Sequence, residues 1–186
     1  MTDRHRIDQA ARIIVNGGVV AYPTEAVYGI GCLPDDPEAL DRIITIKQRD
    51  AGKGLIVVAA SIDQLEPLAD FPQGQIGEQI RASWPGPVTW IVPARPDVWP
   101  QLTGGRKTLA VRVSAHPLVQ KLCLRTGSAL VSTSANRSGR HPARSALAVR
   151  RMLGKDIDFI LAGPPGDSTN PTEIRDAASG KVLRRG

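Results

Sequence analysis

The sequence is poor in the features that most often announce a function. Its 186 residues include only two Cys, Cys32 and Cys123, and three His. The two Cys lie far apart and fit no metal spacing, and His5, His116 and His141 form no ligand pattern. Neither a metal centre nor a disulfide framework is expected, and two reduced thiols suit the cytoplasm. Aromatic residues make up 4%, so aliphatic side chains must fill the core. No apolar run approaches the length of a membrane span, and the N-terminus lacks the apolar core of a signal peptide. Low-complexity segments and fixed-period repeats are missing too. So are three common catalytic signatures. Without Gly-x-x-x-x-Gly-Lys-Ser/Thr or Gly-x-Gly-x-x-Gly, a Walker-type phosphate loop and a dinucleotide fold are disfavoured. Without a Gly-x-Ser-x-Gly elbow, covalent serine catalysis is disfavoured as well.

What is present is a balanced, basic globular composition. Hydrophobic residues reach 41%, and 24 Lys and Arg stand against 18 Asp and Glu, a net charge of +6. That balance suits polyanionic partners such as nucleotides, phosphates or RNA, or merely a solvated basic surface. Ile7, Ala10, Ala11 and Ile14 repeat at helical spacing, and Asn16-Gly17-Gly18 stops that helix. Val19–Tyr22 reads as a short strand whose exit loop is Pro23–Gly31. Asp36-Pro37 reads as an N-cap and first helical residue for a helix reaching Lys47. Leu55–Ala60 is a central strand, and Ser61 with Gln64 is a capping-box signature for a helix after it. Further helices are predicted at 76–82, 117–125 and 145–153. Strands are predicted at 88–92, 108–113, 129–132 and 158–161, then a loop at 163–171 and a closing hairpin from 172–175 and 182–184. Strands and helices alternate without a linker. The expected architecture is α/β, a single domain over 1–186, with an open twisted mixed sheet and flanking helices.

In such sheets ligands bind where strands run out into loops. Pro23–Gly31 packs a Pro, a hydroxyl, a carboxylate, a phenol and two Gly into nine residues, and Ser132–Asn136 is rich in hydroxyls. Lys47, Arg49 and Lys53 fall within seven residues, and Gly52 and Gly54 flank Lys53 so that backbone can approach a phosphate. Arg suits bidentate phosphate contact and Lys acts as a point charge. Arg112 sits inside the apolar strand Leu109–Val113, so it needs a partner, either an internal carboxylate or a ligand's. Trp84–Pro87 is a rigid packing corner or a ligand contact. His116 and His141 each precede a Pro and read as turn residues.

Taken in order, six stretches resemble one family. They are Pro23–Gly31, Lys47-Gln48-Arg49, Lys53-Gly54-Leu55, Trp84–Thr89, Leu109–Val113 and Ser132–Gly139, and Asn170–Asp176 adds to them. Together they resemble the YrdC-like domain family, in its short bacterial threonylcarbamoyl-AMP synthase form. The resemblance implies a basic concave cleft in which L-threonine, bicarbonate and ATP give threonylcarbamoyl-AMP and pyrophosphate. Mg²⁺ is implied as bound through ATP. A threonylcarbamoyl-transferase complex (TsaD, TsaB, TsaE) is implied downstream, making t6A at adenosine 37 of tRNAs that read codons starting with A. Carried over by position, Lys47 and Arg49 are the implied catalytic pair. Arg49, Lys53, Thr108, Ser134, Asn136 and Arg184 are implied for ATP. Thr24, Tyr28, Arg112 and Ser132 are implied for threonine and bicarbonate, with Arg112 clamping a carboxylate. The chain departs from longer relatives at Ala26, Val58 and Pro142, positions that contribute to substrate binding there. A rival reading is a non-enzymatic module binding double-stranded RNA or tRNA, and a third is a YrdC-like paralogue acting on another carbamoyl compound.

Overall fold

The computed structural model describes residues 3–168 and 170–186; residue 169, in the predicted 163–171 loop, lies outside them. The apolar stripe at the start forms helix α1 (Asp3–Val15). Strand β1 (Val20–Pro23) follows, and then β2 (Tyr28–Gly31), which pairs back on β1 antiparallel. The stretch predicted as an exit loop is therefore a hairpin. Its two Gly hide the strand in the sequence, but the sheet requires one of them. A Cβ at Gly31 would run into the carbonyl oxygen of Val131 and lie 2.6 Å from the Tyr22 hydroxyl.

Helix α2 (Pro37–Lys47) begins as predicted, with the Asp36 side chain accepting from the Ala39 N–H at 3.0 Å. A single 3₁₀ turn, Ala51–Lys53, leads into β3 (Ile56–Ala59). The helix predicted from Ser61 and Gln64 does not form. Gln64 instead accepts from the Ala60 N–H and donates to the Cys123 carbonyl, tying a run of turns to another helix. Helix α3 (Gly74–Ala82), β4 (Val88–Pro93), a short α4 (Pro100–Thr103) and β5 (Thr108–Val113) come next. Helix α5 (Pro117–Thr126) ends at Gly127, whose φ of 70° suits a left-handed cap. Strand β6 (Leu130–Ser134) absorbs Thr133 and Ser134, which extends the predicted strand by two residues. Helix α6 (Ala146–Leu153), β7 (Phe159–Ile160) and the antiparallel hairpin of β8 (Glu173–Asp176) and β9 (Val182–Arg184) complete the chain.

The described strands form one mixed sheet in the order β7-β1-β2-β6-β3-β5-β4-β8-β9. One face is covered along its length by α2, α3, α4 and α6, with Val57, Val111 and Trp90 buried beneath them. The other face is covered over only part of its area, where α1 and α5 lie on Tyr22, Val58 and Leu130. Alternation along the strands carries Ile56, Ala110, Arg112, Ser132 and Ile174 to the uncovered part of that face, where they line a cleft. Trp84 packs edge-on against Phe71 and donates its indole N–H to the Val88 carbonyl, so the 84–87 corner is a packing element. No described helix is long and apolar enough to cross a membrane.

Candidate active site

The cleft holds about 480 Å³ and is lined from β1–β2, the 49–56 segment, α4, β5, β6 and the C-terminal hairpin. Among the described residues six cationic side chains border it, Arg49, Lys53, Arg106, Arg112, Arg144 and Arg184, and no carboxylate does. Such a lining is electrostatically fitted to a polyanionic small molecule. Of the residues singled out in the sequence, Thr24, Tyr28, Arg49 and Lys53 border the cleft. So do Thr108, Arg112, Ser132, Ser134 and Arg184.

Two do not. Lys47 is buried, and its ammonium donates to the carbonyls of Ser134 and of Asn136, the latter at 2.9 Å. Burial, with the Arg49 charge adding to it, pulls its pKa down to about 8. The cause of the separation is local. Gln48 closes α2 in the left-handed region at φ 50°, so the chain turns, sending Lys47 under β6 and Arg49 to the cleft. Lys47 thus anchors the β6 exit and does not border the cleft. Asn136 is the second residue outside the cleft lining. Its Oδ1 accepts from Ser134 Oγ at 2.6 Å, and its Nδ2 donates to the carbonyls of Arg137 and Arg140. Its amide is consumed in shaping the loop.

Around Lys53 the backbone is close-packed. Gly54 and Gly104 both have φ of 62°, and a Cβ on Gly104 would lie 2.5 Å from the Gly52 carbonyl oxygen. Arg106 donates to that same carbonyl at 2.6 Å. Sequence reasoning missed Arg106 and Arg144. The pair Gly104-Gly105 before Arg106 was the available signal: both hold positive φ, and Gly104 packs against the backbone of Gly52 and Gly54. Burial lowers the pKa of Arg49 and of Arg184, the latter helped by the nearby Arg112 charge.

Of the two partners considered for Arg112, the structure supplies the internal carboxylate. Nη2 donates to Glu25 Oε2 at 3.1 Å in a buried ion pair, and Nη1 donates to Thr89 and Thr172. Its Nε–H is buried with no partner among the described residues, as is that of Arg49. Burial would raise the Glu25 carboxyl, but the Arg112 charge and the Ser114 hydroxyl outweigh it and hold the pKa below the ordinary range. Tyr28 contributes a wall, because its hydroxyl is engaged with the Gly163 backbone. His116 caps α5, accepting from the Leu118 N–H through Nδ1, while Nε2 faces the Pro164 carbonyl; this fits a turn residue. Of the departures from longer relatives, Ala26 and Pro142 border the cleft, whereas Val58 is fully buried beneath α1 and α5.

No cluster of His, Cys, Asp or Glu that could hold a metal occurs among the described residues, and the cleft lining offers no carboxylate. The residues present do not form a resident metal site.

Fold and cleft together define an α/β protein with a cation-lined cleft on the open half of its sheet. The family model described as "Telomere recombination" (Sua5/YciO/YrdC) matches residues 12–186. A threonylcarbamoyl-AMP synthase of Alkalilimnicola ehrlichii is 53% identical over 187 residues, covering 98% of this chain and 97% of that one. Another from Nitrosococcus oceani is 50% identical over 179 residues, covering 96% and 97%. Among solved structures, P. abyssi Sua5 complexed with L-threonine superposes with a TM-score of 0.91 at 33% identity, covering 99% of this chain and 54% of that chain. The present chain therefore spans about half of that protein. E. coli YciO superposes with a TM-score of 0.84 at 28% identity, covering 100% and 90%. The chain belongs to the Sua5/YciO/YrdC family.

Proposed function

We propose that the chain is a threonylcarbamoyl-AMP synthase and that the open half of its sheet is the active site. The observation that carries this is a cleft offering two kinds of anion site. One is a group of cations, Arg49, Lys53 and Arg106, that form no ion pair among the described residues. The other is a buried, ion-paired Arg112 whose side chain borders the cleft. The first suits a triphosphate and the second an amino-acid carboxylate. Relatives near half identity over nearly the whole chain carry this activity in their names, which favours it over an RNA-binding module.

In this reading the amine of L-threonine adds to bicarbonate, water leaves, and a carbamate forms. A carbamate oxygen attacks the α-phosphorus of ATP, and pyrophosphate departs. No enzyme nucleophile is needed, so the protein contributes positioning and charge stabilisation. Arg49 and Lys53 hold the phosphates, with Arg106 and Arg184 beside them and the Thr108 and Ser134 hydroxyls along the nucleotide. Thr24, Tyr28 and Ser132 wall the threonine end, and Arg112 takes the carboxylate. Lys47 and Asn136 act indirectly, by fixing the loop that presents Ser134. Mg²⁺ enters with the ATP phosphates. The adenylate then passes to a threonylcarbamoyl-transferase complex (TsaD, TsaB, TsaE) for t6A formation on tRNA.

The test is pyrophosphate release from ATP and bicarbonate with L-threonine, with L-serine, and with no amino acid. The expected result is release that depends on threonine and falls with serine. Release independent of any amino acid, or none alongside salt-sensitive RNA binding, would count against it.

A further inference from the structure

One of the six cleft cations differs in kind from the other five. Arg112 is neutralised by Glu25, with side chains 6% and 9% exposed. None of the other five cleft cations forms an ion pair among the described residues. We infer that Glu25 is a positioning residue that sets substrate selectivity: by compensating Arg112, it makes that end of the cleft accept a zwitterionic amino acid and reject phosphate. The inference rests on the assignment of threonine and ATP as substrates.

The geometry fixes both members of the pair. Glu25 Oε1 accepts from Ser114 Oγ at 2.6 Å, and Ser114 Oγ itself accepts from the His116 N–H at 3.1 Å. The Glu25 carbonyl accepts from the Ser168 N–H at 3.1 Å. A Cβ on Gly166 would lie 2.7 Å from that carbonyl oxygen, so the 163–168 segment backs the residue closely. Thr89 and Thr172 hold Arg112 from the other side. Neither group can swing away without breaking several buried bonds. Glu25 does not border the cleft, and both its oxygens are engaged, so it acts through Arg112 and not on substrate.

Charge decides what such a pair admits. A free amino acid carries no net charge, so beside an Arg–Glu pair that is itself neutral its carboxylate can meet Arg112 without adding an uncompensated charge. Phosphate brings up to two negative charges beside a buried carboxylate, and like charges at low dielectric repel strongly. Uncompensated, Arg112 would be one more phosphate site in a cleft already full of cations. It would then compete with the triphosphate site for ATP's own phosphates. Arg184 marks the boundary, because its guanidinium donates to the Thr172 carbonyl while Arg112 donates to the Thr172 hydroxyl.

Calorimetric titration of the full chain tests this, using L-threonine, ATP and inorganic phosphate singly and in competition. In the wild type, phosphate should compete with ATP and leave threonine affinity unchanged. In Glu25→Gln, threonine affinity should fall by about tenfold or more, and phosphate should now displace threonine. ATP affinity in phosphate-free buffer should move by less than about twofold. Glu25→Asp, which keeps the charge, should restore phosphate insensitivity. Glu25→Gln with threonine binding still indifferent to phosphate would overturn the inference. So would a wild type in which phosphate already displaces threonine, a result that needs no variant to fold. A wild type that binds neither threonine nor ATP would overturn the proposed function itself, and the inference with it.

Discussion

The two halves of one sheet face have opposite fates, and the contrast is sharpest within single strands. On β6, Leu130 lies fully buried under α1 and α5, while Ser132, two residues on, borders the cleft. On β3 the same step separates Val58 in the core from Ile56 at the cleft. Two residues along a strand is roughly 7 Å. Over that distance the requirement changes from filling volume to offering hydrogen bonds and charge. The covered half is held by apolar packing. The open half is held by polar groups satisfying one another, as in Glu25–Arg112–Thr172 and Lys47–Ser134–Asn136.

Substitutions that cross this line should therefore separate stability from activity. Leu130→Ala removes a fully buried side chain and should cost roughly 2–5 kcal/mol in denaturant unfolding. Ser132→Ala, next on the same face, should cost under about 1 kcal/mol and instead weaken threonine use. Equal stability losses at the two positions would erase the distinction.

Lys47 gives a prediction of intermediate size, read from pH. Its folded pKa of about 8 lies below the ordinary Lys value, so between the two the unfolded chain binds more protons. Stability should rise with pH across that window, by on the order of 1–3 kcal/mol from this group. The bonds to the Ser134 and Asn136 carbonyls favour the ammonium and place the effect toward the low end. Lys47→Met should lose the rise. An unchanged pH slope would show that Lys47 is not a desolvated ammonium. The smallest effect is expected at the rim. Arg106 is exposed and bonds the Gly52 carbonyl, so Arg106→Ala should raise the KM for ATP a few-fold, with little change in melting temperature.

Much of this was legible in the sequence where local chemistry decides structure. Asp36-Pro37 marks a helix start because caps act within a few residues. The cleft residues from β5 and β6 were legible because a charge or a hydroxyl run inside an apolar strand needs a reason. What stayed hidden depends on distant neighbours. Strand β2 was obscured because Gly31 is required by Val131, a hundred residues away. The insertion of β6 between β2 and β3 leaves no local trace. Lys47 and Arg49, alike in sequence, part company because of one backbone angle at Gln48. Gln64 kept its capping-box spacing but used its amide on Ala60 and Cys123, so no helix formed.

The central claim is that one cleft holds two substrates at chemically distinct ends. It is tested most directly by measuring threonine and ATP affinities separately in Arg112→Lys and Arg49→Ala. Arg112→Lys keeps a charge opposite Glu25 but loses the planar fork and the Nε–H. It should weaken threonine by about tenfold or more and leave ATP within about twofold. Arg49→Ala should do the reverse. If either variant weakens both ligands alike, or Arg112→Lys weakens ATP alone, the division of the cleft is contradicted.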